Sequence, residues 1–360
     1  MPRVALLGPA CMPRCGRAGV PRLLLLLLLL PLIAGGDDGG DGGLDEIEEE
    51  EVHARIMELL EGCGDVCDTS IEGVESKFFP RISKEVDCAG LWGNAAIDKA
   101  RPAGPAPEMS PAMREHFSYG GRVALLRYDG APYALLDNPY VNAPAQLPEW
   151  SEEMIDAWAL QCLEGSLRGG YGEQDTAMVL EGLRRMPSIP GGHVLVIGSE
   201  RPWLEACVLA AGARHVTTLE FGEIRCTHPN VDTLVPGEMG AMFLNGSLAT
   251  FDAVASFSSV EHTGLGRYGD GLNPWGDLQT IARAWCVTRA GGGMLLGVPN
   301  RGGDRVEWNA HRNYGPVMYS HLAANWDQDQ RLDHGIGQSN QRVHLFRKPG
   351  KQVSDFTPPK

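Results

Sequence analysis

Two absences bound what this 360-residue chain can be. No Asp or Glu occurs in its first 36 residues, and no apolar run reaches the roughly 20 residues that a membrane-spanning helix needs. The longest run, Leu23 to Ala34, has 12 residues; it follows Arg3, Arg14, Arg17 and Arg22 and leads into Ala34-Gly35-Gly36. A basic start, a short apolar centre and small residues predict a secretory signal peptide. A short membrane anchor and an organellar transit peptide share parts of the pattern. Basic residues are scarce beyond this segment: 46 acidic residues face 27 basic ones after position 36, a net charge of −19. That balance excludes nonspecific affinity for nucleic acid or anionic lipid as the chain's business. Metal-ligand spacing is missing too. Cys63, Cys67 and Cys88 lack a fourth partner, so no metal is expected, whereas a Cys63–Cys67 or Cys67–Cys88 disulfide fits an oxidising lumen. Cys207 and Cys286 fall on expected helices and read as small apolar side chains. Asn245-Gly246-Ser247 is the only glycosylation sequon.

What is present divides the chain. Residues 1–36 form the targeting segment, 37–109 an acidic tether with a small Cys-containing part, 110–186 a helical appendage, 187–349 an α/β domain, and 350–360 a disordered tail. Within the tether, 46–61 is expected to be a short helix. In the α/β domain, His193 to Ile197 is a β-branched apolar run suited to a buried parallel strand. Gly198 permits a sharp turn. Trp203 to Ala211 is an apolar helix stopped by Gly212, and Val216 to Leu219 is a second strand followed by Glu220. A carboxylate about 20 residues beyond a glycine turn can accept both ribose hydroxyls of a nucleotide cofactor. The turn itself, Gly-Ser-Glu-Arg-Pro-Trp, lacks the further glycines that a dinucleotide fingerprint uses to seat pyrophosphate on a helix N-terminus. Glu200 would repel a pyrophosphate and Trp203 would crowd it. A phosphate-free donor such as S-adenosylmethionine meets neither objection.

The alternation continues. Val231 to Val235 is a third strand, 237–244 a helix, Phe251 to Phe257 a fourth strand, and Met294 to Val298 a fifth. Asp277 is placed to cap a helix that Gly291-Gly292-Gly293 would end, His321 to Trp326 is expected to be helical, and Arg342 to Arg347 is a last strand. The expected fold is therefore a doubly wound, mostly parallel Rossmann-like sheet. Its ligand would lie beyond the carboxyl ends of the strands.

Several segments carry a family resemblance. Val-Leu-Val-Ile-Gly, Leu-Glu, Phe-Asp-Ala-Val-Ala-Ser-Phe-Ser-Ser-Val-Glu-His and Ala-Gly-Gly-Gly-Met-Leu-Leu-Gly-Val-Pro resemble class I methyltransferases. Ser258 to Asp270 with Leu272-Asn273-Pro274, and Asn309 to Gly315, resemble more narrowly a methyltransferase-like family of uncharacterised function. That family was first catalogued in nematodes and also occurs in bacteria. The resemblance covers about 137–346. It implies S-adenosylmethionine at Gly198, Ser199 and Glu200, its ribose on Glu220, adenine beside Phe221, and Ser256 and Ser258 along the floor.

The residues themselves suggest the chemistry. Methyl transfer to a hydroxyl needs alignment and a base. His262, with an ordinary pKa near 6.5, is the expected base, and Glu261 its orienting partner. The polar glycine-rich loop supplies Arg267, Tyr268, Asp270, Asn273 and Trp275, and the later motif Asn309, His311 and Tyr314, as contacts for a glycan or another small hydroxylated acceptor. Two other readings stand beside this one: a methyltransferase-like binding module without turnover, and an NAD(P)-dependent enzyme acting on nucleotide sugars.

Overall fold

The structure, a computed structural model, describes residues 42–100, 109–127, 147–308, 310–333 and 340–350. The targeting segment, Asn309 and the tail expected at 350–360 (apart from Gly350) lie outside the described residues. In chain order the elements are α1 (Gly42–Leu60), α2 (Cys88–Gly93), α3 (Pro111–Phe117), β1 (Ala124–Arg127), β2 (Glu149–Trp150), α4 (Glu152–Glu164) and α5 (Glu173–Arg185). There follow β3 (His193–Ile197), α6 (Trp203–Ala210), β4 (His215–Leu219), β5 (Arg225–Cys226), β6 (Val231–Leu234), α7 (Pro236–Leu244), β7 (Phe251–Phe257) and α8 (Gly276–Val287). The last are β8 (Thr288–Pro299), β9 (Arg305–Trp308), β10 (His311–Asn313), α9 (Pro316–Leu322), β11 (Asp327–Leu332) and β12 (Gln341–Arg347).

Seven strands form one sheet in the order β11-β12-β8-β7-β3-β4-β6. From β8 to β6 all neighbours are parallel, and β12 runs antiparallel between β8 and β11. Side chains alternate between two cores, as strand geometry dictates. Leu195, Ile197, Val254, Met294 and Leu296 pack with α7, α8 and α9 on one face, while Val194, Val196, Ala253, Ala255 and Leu295 pack with α4, α5 and α6 on the other. This is the mixed α/β, mostly parallel, doubly wound architecture that the resemblance to class I methyltransferases implies. The chain moves from β3 outward to β4 and β6, then crosses back to β7 on the other side of β3. The order therefore reverses between β3 and β7, where such sheets open a ligand crevice.

Local expectations fail in instructive places. Gly291, Gly292 and Gly293 do not end a helix: α8 stops at Val287 and β8 begins at once. Gly291 takes a left-handed φ of 73°, while Gly292 and Gly293 are packed closely: a Cβ at Gly292 would lie 2.8 Å from the Asp252 carbonyl and one at Gly293 2.6 Å from Met186 Cε. Asp277 is not a cap either; α8 starts at Gly276 without a side-chain cap. The expected helix at His321 to Trp326 is displaced to α9, whose start Asp304 caps from outside: its carboxylate accepts the backbone N–H groups of Gly315, Val317 and Met318 at 2.8–3.0 Å. Cys207 and Cys286 are not thiols. They form Cys162–Cys207 and Cys88–Cys286 disulfides, alongside Cys63–Cys67. Residues 110–186 are not helical throughout, since β1 pairs with β9 in a small second sheet. Among the described residues no helix is long and apolar enough to cross a membrane.

Candidate functional site

The site starts at the turn after β3. Gly198 has φ 72°, and a Cβ there would overlap the Ser259 hydroxyl across the switch point. Only glycine lets the ends of β3 and β7 approach this closely. The next two N–H groups around the crevice converge on one side chain. Ser199 N–H donates to Glu220 Oε2 at 2.6 Å, and Phe221 N–H donates to Glu220 Oε1 at 2.7 Å. Glu220 is thus fixed at the end of β4 with lone pairs to spare, and burial raises its pKa.

Behind the turn lies Glu205, which the sequence reading passed over inside an apolar helix. It is fully buried, and its oxygens meet Ser199 Oγ at 2.9 Å and Thr218 Oγ1 at 2.8 Å. Burial raises its pKa to about 7. The Ser199 hydroxyl has one proton and two acceptor partners, Glu205 and the Arg201 carbonyl at 2.9 Å. A protonated Glu205 satisfies all three groups. A single carboxylate in an otherwise apolar helix was the available signal.

Across the crevice, Ser258 sits in the left-handed region at φ 52°, a strained position for a non-glycine residue. Its hydroxyl donates to Glu261 Oε1 at 2.8 Å, and Gln341 Nε2 donates to both, at 2.9 and 3.1 Å. Glu261 is fully buried, its pKa is raised to about 7 by that burial, and its Oε2 has no hydrogen-bond partner. His262 Nδ1 lies 2.6 Å from the Ala310 carbonyl, which can only accept, and 3.3 Å from Arg267 Nη1, which can only donate; the much shorter contact assigns the proton to Nδ1 and the lone pair to Nε2. Burial, then the Arg267 charge, pushes the imidazole pKa down to about 3. Its proton affinity is thus far below that of an ordinary imidazole, the property on which its expected role as base rests.

The two polar motifs mostly recognise each other. Arg312, fully buried, donates to the carbonyls of Thr263, Asn273 and Pro274 at 2.6–3.3 Å and lies 3.5 Å from the buried Asp277 carboxylate. Tyr314 donates its hydroxyl to Asp277 at 3.0 Å. Asn273 bonds Gln279 and the Trp275 N–H, and Trp275 packs its buried ring on His116. Asp270 accepts the N–H groups of Gly264 and Tyr268 at 2.6 and 3.2 Å, closing the glycine loop. His311 pairs with Glu307 at 3.7 Å.

A cavity of about 420 Å³ opens at the switch point, a size suited to a small ligand. Of the residues singled out in the sequence, Gly198, Ser199, Glu200, Glu220, Phe221, Ser258, His262, Tyr268 and Asp270 line it. Ser256, Glu261, Arg267, Asn273, Trp275, His311 and Tyr314 do not; Ser256 is buried and bonds the Ile197 carbonyl. Tyr171, Ser259 and Arg283 line the cavity and were missed. Four lining carboxylates (Asp98, Glu200, Glu220, Asp270) face two guanidinium groups (Arg201, Arg283). This excess of negative charge disfavours a pyrophosphate and suits a cationic ligand. Among the described residues no cluster of His, Cys, Asp and Glu is placed to hold a metal ion.

Residues 191–348 match the profile of a family described as Caenorhabditis protein of unknown function, DUF268. No protein of curated function matches the chain in sequence. Among solved structures, the chain is similar to the N-methyltransferase NodS from Bradyrhizobium japonicum WM9 in complex with S-adenosyl-L-homocysteine, at 15% identity and TM-score 0.35, over 53% of this chain and 98% of that one. It is also similar to an S-adenosylmethionine dependent methyltransferase from Mesorhizobium loti, at 13% identity and TM-score 0.33, over 48% of this chain and 99% of that one. At such identities and scores these likenesses carry no functional weight, and the fold assignment rests on the strand order.

Proposed function

We propose that this protein binds S-adenosylmethionine and methylates a hydroxyl of a glycan or another small hydroxylated acceptor. The observation that carries the reading is Glu220, held at the end of β4 by the N–H groups of Ser199 and Phe221 inside a cavity with excess negative charge. When bound, the cofactor supplies an electrophilic methyl group on a cationic sulfonium. Glu220 would take the ribose hydroxyls, Phe221 would flank the base, and Gly198, Ser199 and Glu200 would border the amino-acid end. On the acceptor side, Ser258 faces the cavity and passes a proton inward to Glu261, whose pKa of about 7 matches a general base at neutral pH. His262 offers a fixed lone pair at Nε2 to orient the acceptor, beside Tyr268 and Asp270. Three disulfides and an exposed Asn245 support work in the secretory pathway.

Titration calorimetry of the purified protein with S-adenosylmethionine tests the reading: micromolar binding that Glu220→Ala weakens is expected, and no binding to either protein refutes it. One observation favours a binding module without turnover, namely that most of the polar loop faces inward to Arg312 and Asp277. Methylation of any acceptor in a screen of hydroxylated small molecules rules that module out.

A further inference from the structure

The sequon Asn245-Gly246-Ser247 has no part in the cavity, and the fold gives it a definite place. α7 starts at Pro236, which lines the cavity beyond the carboxyl ends of the strands. Its nine residues advance about 14 Å at the ordinary helical rise. The helix therefore ends toward the amino edge of the sheet, and after a short connection β7 begins there at Phe251. Cavity and sequon lie toward opposite edges of the same sheet.

The helix is packed at its middle and open at its end. Met239 and Gly240 are buried, and a Cβ at Gly240 would lie 3.0 Å from the Trp92 carbonyl. Leu244, Asn245, Gly246 and Ser247 are all exposed. Gly246 turns the chain out of the helix at φ 75°, and a Cβ there would meet nothing within 4 Å. The backbone at the sequon is nevertheless fixed. Asn245 N–H donates to the Ala241 carbonyl at 3.1 Å, and Ser247 N–H donates to the Met242 carbonyl at 2.9 Å. Ser247 N–H also lies 2.9 Å from the side-chain amide of Asn245. A backbone N–H can only donate, so the amide atom facing it is Oδ1, and Nδ2 is left uncommitted among the described residues.

Three disulfides are the mark of a chain that folds in an oxidising compartment, where such sequons are modified, and a bulky sugar needs an open surface of this kind. We propose that Asn245 is a modification site carrying an N-linked oligosaccharide. Nδ2 forms a bond to the anomeric carbon of the first sugar while the bond from that carbon to a lipid-linked diphosphate breaks. Nδ2 gives up one proton, and the diphosphate leaves with the electron pair. The sugar would stand beside Leu244, 49% exposed, and clear of the cavity mouth. The proposal is independent of the methyl-donor reading.

The test is expression of the full chain in cultured animal cells, followed by digestion with an amidase that releases N-linked glycans. The wild type should lose the mass of one glycan on digestion, and peptide mass spectra should then show Asp in place of Asn245. Asn245→Gln and Ser247→Ala should run at the digested position without treatment, whereas Ser247→Thr, which keeps the sequon, should still shift. All three substitutions fall on exposed side chains, and a melting scan of each purified variant verifies that it folds. A wild type that the amidase leaves unchanged overturns the proposal. So does an Asn245→Gln protein that still loses a glycan. Neither result bears on methyl-donor binding, which calorimetry reads separately.

Discussion

The turn from Gly198 to Glu220 and the paired motifs Ser258–Asp277 and Asn309–Gly315 are both rich in polar side chains, yet they use them in opposite ways. In the turn, backbone N–H groups point at a carboxylate whose remaining lone pairs face a cavity. In the paired motifs, side chains point at backbone carbonyls and at one another, and Arg312, Asp277, Asn273 and Tyr314 are almost entirely sealed from solvent. The first arrangement leaves hydrogen-bonding capacity for a ligand. The second spends it on holding a loop in shape. Polarity near a crevice is therefore no measure of binding; what counts is which partners the polar atoms already have.

The contrast can be broken at Arg312. Arg312→Met strands Asp277 and three carbonyls in the core, and unfolding in denaturant should show a loss of about 3–5 kcal/mol. A loss below about 1 kcal/mol would mean that the paired motifs are not the brace described. Next comes the proton path. Glu261→Gln should lower turnover by roughly 10²–10⁴-fold with methyl-donor affinity little changed. Because the base form of a group with pKa about 7 predominates above that pH, wild-type turnover should rise through pH 7 and then level off. A flat profile from pH 6 to 8 removes Glu261 from the role. His262→Asn, by contrast, should cost stability more than turnover, since Nδ1 ties the loop to Ala310.

Glu205 sharpens the picture of the turn. Its folded pKa, about 7, lies above the ordinary value of 4.5. The protonated form is the one the fold accepts, so the contribution is fully present below pH 4.5 and is lost as pH rises through 7. Glu205→Gln should thus equal the wild type in stability below about pH 4 and exceed it at pH 8 by an amount on the order of 3 kcal/mol. Equal pH dependence of the two melting curves would show that Glu205 is ionised in the fold. The smallest effect is expected at Glu220, which is partly exposed. Glu220→Ala should weaken methyl-donor binding by roughly 10- to 100-fold while shifting the melting temperature by only a few degrees.

Much of the fold was legible because its signals are local. The runs His193–Ile197, Phe251–Phe257 and Met294–Val298 announce buried strands by composition alone, and their order along the chain implies parallel crossovers. Asp277 shows where such reading stops: as a residue before an amphipathic run it looked like a cap, but Tyr314 and Arg312, 37 and 35 positions away, claim it for the core. Likewise the run Gly291 to Gly293 reads as a helix stop, and only the neighbouring β7 and the segment after α5 show why side chains are excluded at Gly292 and Gly293.

By itself the sequence determined the doubly wound sheet, the phosphate-averse turn and the carboxylate after the second strand, because hydrophobic period and turn chemistry act over fewer than about 25 residues. Tertiary structure decided the rest. It chose Glu261 over His262 as the group with proton affinity near neutrality, since burial acts in opposite directions on an acid and on a base. It also paired Cys88 with Cys286, 198 residues apart, and laid Asp98 against Arg283 along the cavity wall. No spacing rule reports contacts of that separation, because they depend on how finished layers pack and not on how any one segment coils.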